Sequence, residues 1–344
     1  MRDIDTLLRT LAERQGSDLH LKVGSPPLMR VDGVLGRMEG EEKLTPEETE
    51  AIAHRIMPAD RWQGFLDRNE ADFAYGVGGV ARFRVNVFRQ RGSISMVLRL
   101  VRVGSPSFEE LGLPPVVRSL ADEPRGLILV TGPTGSGKTT TLSAMIDHIN
   151  ATRACHIVTI EDPIEVIHPD QQAAVNQREV GVDTDGFVVA MRAAMRQDPD
   201  VILIGEMRDT ETVQAALAAA ETVNRIVDFF PPFQQQQVRV TLAGALRGIL
   251  CQRLLPRIGG GRAPVLEVCI NTGRVQERIL DPTRTMEIEE VVADGGFYGM
   301  QTFDQAVVNL VQAGVVSVED AVESSSNRHD LELALQQAGV AVPA

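Results

Sequence analysis

The residues Gly132-Pro133-Thr134-Gly135-Ser136-Gly137-Lys138-Thr139 fill every fixed position of a G-x-x-x-x-G-K-[ST] loop. The chemistry of these residue types at this spacing is phosphate binding. Glycines allow successive backbone N–H groups to curl around a phosphate chain, and a following helix adds the partial positive charge of its N-terminus. Lys138 is placed to reach the β and γ phosphates, and the Thr139 hydroxyl to hold Mg²⁺. Thr140 continues the loop into the helix.

Two acidic stations follow. His156-Ile157-Val158-Thr159-Ile160 is a strand-like run that ends in Glu161-Asp162-Pro163-Ile164-Glu165, and Val201-Ile202-Leu203-Ile204 ends in Gly205-Glu206-Met207-Arg208-Asp209. In an open parallel sheet, ligands bind at the carboxyl ends of the strands, so both stations are expected to face the crevice that holds Lys138. Glu206 is the expected residue for orienting the attacking water or the hydrated Mg²⁺. Three stations in this order predict nucleotide hydrolysis. The nucleotide is expected to be ATP: Lys22, Lys43 and Lys138 are the only lysines, and none lies in the Asn-Lys-x-Asp motif that reads guanine.

These groups need a scaffold. Leu127-Ile128-Leu129-Val130 before the loop reads as a buried parallel strand, and Thr140 to Ile146 after it opens a helix. Upstream, Ile4, Leu7, Leu8 and Leu11 recur at helical spacing, and Thr45-Pro46-Glu47-Glu48 reads as an N-cap, first-turn proline and capping box for a helix through Ile56. Phe83, Val85 and Val87 alternate with Arg82, Arg84 and Asn86, which predicts a half-buried strand. A turn at Gly92-Ser93 then leads into another strand from Ile94 to Val101. Near the C-terminus, Phe303, Ala306, Val307, Leu310 and Val311 predict an amphipathic helix closed by Gly314, with Ser317 capping the next.

At 344 residues the chain is expected to form two domains: 1–105, a linker 106–115, and 116–344. The formal net charge of −13 argues against nucleic acid as the main partner. Cys155, Cys251 and Cys269 form no C-x-x-C pair, which predicts neither a zinc knuckle nor a disulfide framework. No apolar run approaches the roughly 20 residues of a membrane span, and the N-terminus lacks the basic-then-apolar pattern of a signal peptide. The expected location is cytoplasmic.

Several motifs together carry a family resemblance. They are Gly132 to Thr139, Thr159 to Glu165, Asn176-Gln177-Arg178-Glu179-Val180-Gly181, and Asp198-Pro199-Asp200-Val201 through Asp209. With Ser17-Asp18-Leu19-His20-Leu21, Arg30-Val31-Asp32-Gly33 and Ala81 to Asn86, the chain resembles the PilT-like twitching-motility ATPases of the secretion ATPase superfamily. The resemblance implies a PAS-like α+β N-terminal domain, then a RecA-like α/β domain with a mostly parallel sheet and a helical C-terminal tail. It further implies ATP and Mg²⁺ as cofactors and a homohexamer that works on an inner-membrane pilus platform protein, peripheral to that membrane. Glu165 matches the family's conserved acid and Glu206 its Walker B glutamate. Arg82, Arg84, Arg89 and Arg91 are candidates for completing a neighbouring subunit's site, or else form a solvated face. The direction implied is pilus retraction. Pilus assembly, type II secretion and a hydrolysis-deficient ring subunit are the alternatives.

One departure stands out. Where the family continues after Ala219-Ala220-Glu221-Thr222 with a Gly-His pair, a core strand and a Thr-Leu-His-Thr box, this chain runs directly into Val223-Asn224-Arg225-Ile226-Val227-Asp228. No histidine lies between residues 169 and 328. A strand with its connections takes roughly ten to fifteen residues, so the resemblance implies that a central strand is missing. The remaining sheet is expected either to leave a position empty or to draw Val223 to Phe230 into it. A milder departure is Gly273 to Asp281, where retraction ATPases carry a different element.

Overall fold

The computed structural model describes residues 3–31, 33–205, 218–325 and 327–342. The chain divides into two compact units: residues 1–104 with 162–169 and 177–192, and residues 105–161 with 170–176 and 193–344.

The first unit begins with α1 (Ile4–Glu13), β1 (Asp18–Leu21), β2 (Leu28–Val31) and β3 (Val34–Arg37). It continues with α2 (Pro46–Ile56), α3 (Ala59–Arg68), β4 (Glu70–Val77), β5 (Ala81–Gln90), β6 (Ser93–Leu100) and β7 (Arg102–Val103). Six strands form an antiparallel sheet in the order β3-β2-β1-β6-β5-β4. Ile4, Leu7, Leu8 and Leu11 bury one stripe of α1 against it. The capping box at Thr45 and Glu48 starts α2 as its sequence predicts. Phe83, Val85 and Val87 are fully buried, which fixes the inward face of β5. The β5–β6 turn falls on Arg91-Gly92, with φ of 51° and 81°, one residue before the expected pair. Two positive-φ residues suit the right-handed twist of a tight hairpin.

The second unit starts where a linker was expected. Residues 106–115 hold α4 (Phe108–Leu111), with its own capping box at Ser107 and Glu110, and the first residue of α5 (Pro115–Ala121). Then come β8 (Leu127–Thr131), α6 (Lys138–Thr152) and β9 (His156–Glu161). The chain then returns to the first unit for the short β10 (Val166–Ile167), which pairs there in parallel with β7. Next are β11 (Ala174–Glu179), α7 (Phe187–Ala194), most of which groups with the first unit, and β12 (Val201–Ile204) in the second. After the undescribed 206–217, the chain continues through α8 (Ala219–Asp228), α9 (Pro232–Ala245), β13 (Leu246–Pro256) and β14 (Arg262–Ile270). It ends in α10 (Gly273–Leu280), α11 (Ile288–Ala293), α12 (Phe303–Gln312), α13 (Val318–Ser324) and α14 (Arg328–Gln337). Gly314 at φ 67° ends the α12 turn, and the Ser317 hydroxyl caps α13.

The sheet of this unit is not continuous. Its strands form two three-stranded sheets, β11-β9-β12 and β14-β13-β8. β9 and β12 are parallel, as are β8 and β13, while β13 and β14 are antiparallel. Among the described residues, no strand pairs with the outer edge of β8 or of β12. Val223 does not supply one, because Ala219, Ala220, Val223, Ile226 and Val227 bury a single face of α8 at helical spacing. Of the two outcomes expected for the sheet, drawing Val223 to Phe230 into it is not the one adopted, and among the described residues no other strand takes the position.

Candidate functional site

β8 delivers the chain into the phosphate loop and α6 receives it, with Gly137 as the helix N-cap. Gly132, Gly135 and Gly137 have φ of 139°, 80° and 86°, a region where a side chain is strained. Gly132 is also sterically required, and Gly137 is closely packed. A Cβ on Gly132 would stand 2.1 Å from the backbone oxygen of Gln252, and one on Gly137 would stand 2.9 Å from the Gln252 Nε2. At Gly135 nothing lies within 4 Å, so the middle of the loop has room around it.

The Lys138 Nζ donates to the carbonyls of Gly132 and Pro133, both at 2.9 Å. These bonds hold the ammonium over the loop, and burial pulls its pKa below the ordinary lysine value. The Ser136 Oγ is buried and has no hydrogen-bond partner. Pro133, Thr134 and Gly135 are exposed at the loop's rim, whereas Thr139 and Thr140 are half-buried. A glycine-lined loop at a helix N-terminus, with a tethered lysine and an unpartnered buried hydroxyl, fits a nucleotide phosphate chain.

The acids are distributed differently. Glu161 is buried at the end of β9, where it accepts from Thr159 Oγ1 at 2.7 Å. Gly205 closes onto the same strand end, its N–H donating to the Ile160 carbonyl at 2.8 Å. Glu206 lies outside the described residues. Glu165 is exposed and belongs to the segment that groups with the first unit.

The four arginines also lie in the first unit. Arg82 pairs with Glu179 at 3.3 Å, and burial raises the pKa of that glutamate against the opposing pull of Arg82. Arg89 donates to the Gly92 carbonyl and lies over the Phe65 ring. Arg84 and Arg91 are exposed.

Between β8 and β12 lies a cavity of about 350 Å³, lined by Leu127 to Thr131, Val201 to Gly205, apolar residues of α6, and Lys138. Strands in the middle of a parallel sheet are normally buried on both faces. Here every residue of β12 is only half-buried, and Leu127 of β8 is 40% exposed. The cavity therefore runs along two strand edges that no described strand pairs, and reaches the phosphate-loop lysine.

Two buried polar residues escaped the sequence reading. Gln252 on β13 is 2% exposed, and its amide bridges the loop and α6. Glu267 on β14 accepts from the Ala219 N–H at 2.7 Å, at the start of α8, and burial raises its pKa to about 7. The available signal was a polar residue inside an otherwise apolar strand, in Leu250-Cys251-Gln252 and Leu266-Glu267-Val268.

The fold and the loop define a secretion-type ATPase, and the family model for "Type II/IV secretion system protein" matches residues 2–227. The chain belongs to that family. Its relatives include the Type IV pilus retractation ATPase PilT of Pseudomonas aeruginosa, 42% identical over 339 residues that cover 94% of this chain and 98% of the relative. A twitching motility protein of Neisseria gonorrhoeae is 38% identical over 322 residues, covering 89% of this chain and 86% of the relative. The crystal structure of the pilus retraction motor PilT with bound ADP superposes with a TM-score of 0.87 at 41% identity, covering 97% of this chain and all of the other. The 339 aligned positions exceed 94% of a 344-residue chain, so the Pseudomonas relative has positions that this chain lacks. Among the described residues, no helix is long and apolar enough to cross a membrane.

Proposed function

We propose that this chain is the ATPase subunit of a motor that powers type IV pilus retraction and twitching motility. ATP binds at Gly132 to Thr140, with Lys138 on the β and γ phosphates. Thr139 and Glu206 would hold Mg²⁺, which screens the phosphate charge and draws electron density from the γ-phosphate during transfer. Glu206 and Glu165 act on the water and the metal shell. The subunits form a homohexamer in the cytoplasm that engages an inner-membrane platform protein. An arginine from the set Arg82, Arg84, Arg89 and Arg91 completes a neighbour's site. Arg84 and Arg91 suit that role best, because Arg82 is committed to Glu179 and Arg89 to Gly92 and Phe65.

The observation that carries this reading is the glycine-lined loop with its tethered lysine. Near-complete coverage of a retraction ATPase supports retraction over secretion or assembly. The edge of β8, which no described strand pairs, favours one modification of the reading: nucleotide binding is retained while hydrolysis is slow. Lys138→Ala should weaken binding of a fluorescent ATP analogue by at least about a hundredfold, since the loop loses its only ammonium, and leave the first unit folded. Binding equal to the parent's would refute the nucleotide reading.

A further inference from the structure

The floor beneath the phosphate loop is β13, and Gln252 is a residue of β13 whose side chain hydrogen-bonds the loop, beside the apolar Leu254 under Gly137. Its Nε2 donates to the Ser136 carbonyl at 2.8 Å. Its Oε1 accepts from the Thr141 hydroxyl, in the first turn of α6, at 2.7 Å. The Ser136 carbonyl can only accept, so the amide nitrogen must face it, and the amide oxygen is left to Thr141. Both ends of the amide are therefore fixed, and the group is buried. The backbone at the same position supports the loop, because the space that Gly132 leaves open is filled by the Gln252 carbonyl.

This geometry has a consequence for the loop's donors. In a trans peptide, the C=O and the following N–H point in opposite directions. Holding the Ser136 carbonyl toward β13 turns the Gly137 N–H away from β13, toward the concave side of the loop. We propose that Gln252 is a positioning residue for nucleotide phosphates: it fixes the Ser136–Gly137 peptide plane so that the loop's N–H groups are aligned before nucleotide arrives. The proposal rests on the nucleotide reading above. It requires no contact between Gln252 and the nucleotide.

The test uses the full chain, a fluorescent ADP analogue, and melting curves recorded for each variant. Gln252→Glu keeps the shape. A neutral carboxyl can donate its O–H to Ser136, whereas a carboxylate cannot donate and places a charge under the loop. The affinity of Gln252→Glu should match the parent near pH 5.5 and fall about tenfold or more by pH 8, while the parent's changes little over that range. Gln252→Leu, with no donor, should bind about tenfold more weakly at both pH values. Parent-like affinity in both variants at both pH values would overturn the proposal. So would a lowered melting temperature with unchanged affinity of the folded protein, which marks Gln252 as a packing residue only. The parent's own affinity reports on the nucleotide reading, and the differences among variants report on Gln252.

Discussion

The two three-stranded sheets of the phosphate-loop unit differ in how completely they are built. In β14-β13-β8, each element near the loop is tied to another: Cys251 lies beside Thr131, Gln252 bridges Ser136 and Thr141, and Glu267 caps α8. In β11-β9-β12, the strand that leads to the second acidic station has an edge that no described strand pairs and is half-buried along its length. On the proposed function, the loop half would hold phosphates and the acid half would act on water. The half that would bind a nucleotide is then fully tied, while the half that would hydrolyse it lacks a neighbour among the described residues. Binding and turnover should therefore respond separately to substitution.

Glycine substitutions probe this contrast most strongly. Gly132→Ala drives a Cβ to 2.1 Å from a backbone oxygen of β13, at a φ of 139°, and neither strand can yield without breaking its pairing. Overpacking and backbone strain together should cost roughly 3 to 5 kcal/mol, seen as a large drop in denaturant midpoint. A midpoint within experimental error of the parent would mean that the loop half is not rigid.

A smaller effect is expected from Glu267. Burial raises its pKa from 4.5 to about 7, so the folded state favours the neutral acid. Its contribution to stability is therefore full below about pH 4.5 and is lost as pH rises through about 7. The loss amounts to roughly 3 kcal/mol at most. Glu267→Gln should flatten the fall in melting temperature between pH 5 and pH 8, and an unchanged slope would assign that fall to other groups.

The smallest effect is expected at the open half. A Cβ on Gly205 would meet the Ile160 oxygen and the Glu161 Cα at 3.3 Å, and no described strand holds the outer edge of β12 in place. Gly205→Ala should cost under about 1 kcal/mol in the same denaturant series. A cost equal to that of Gly132→Ala would erase the difference between the halves.

The sequence made the local features readable and left the tertiary ones hidden. The capping box at Thr45, the alternation through Phe83, Val85 and Val87, and the phosphate loop each depend on residues a few positions apart. Gln252 and Ser136 lie 116 positions apart, and only the parallel pairing of β13 with β8 brings them together. Glu267 likewise gains its role from the start of α8, 48 positions earlier. The missing segment after Thr222 was legible only through the family resemblance. What the chain does with Val223 to Asp228 depends on which face it buries, and the packing of α8 settles that. Glu165 sits in a segment whose grouping with the first unit follows from β10 pairing with β7, two short strands with no periodicity to announce them.

The most direct test of the account compares this chain with a version carrying a Gly-His-strand-Thr-Leu-His-Thr segment of about ten to fifteen residues between Thr222 and Val223. ATP affinity and steady-state ATP turnover are measured on both. Turnover should rise at least about tenfold while affinity stays within about threefold, because the loop half is already tied together. Equal turnover in the two chains would show that the segment missing after Thr222 has no part in hydrolysis, and would contradict that expectation.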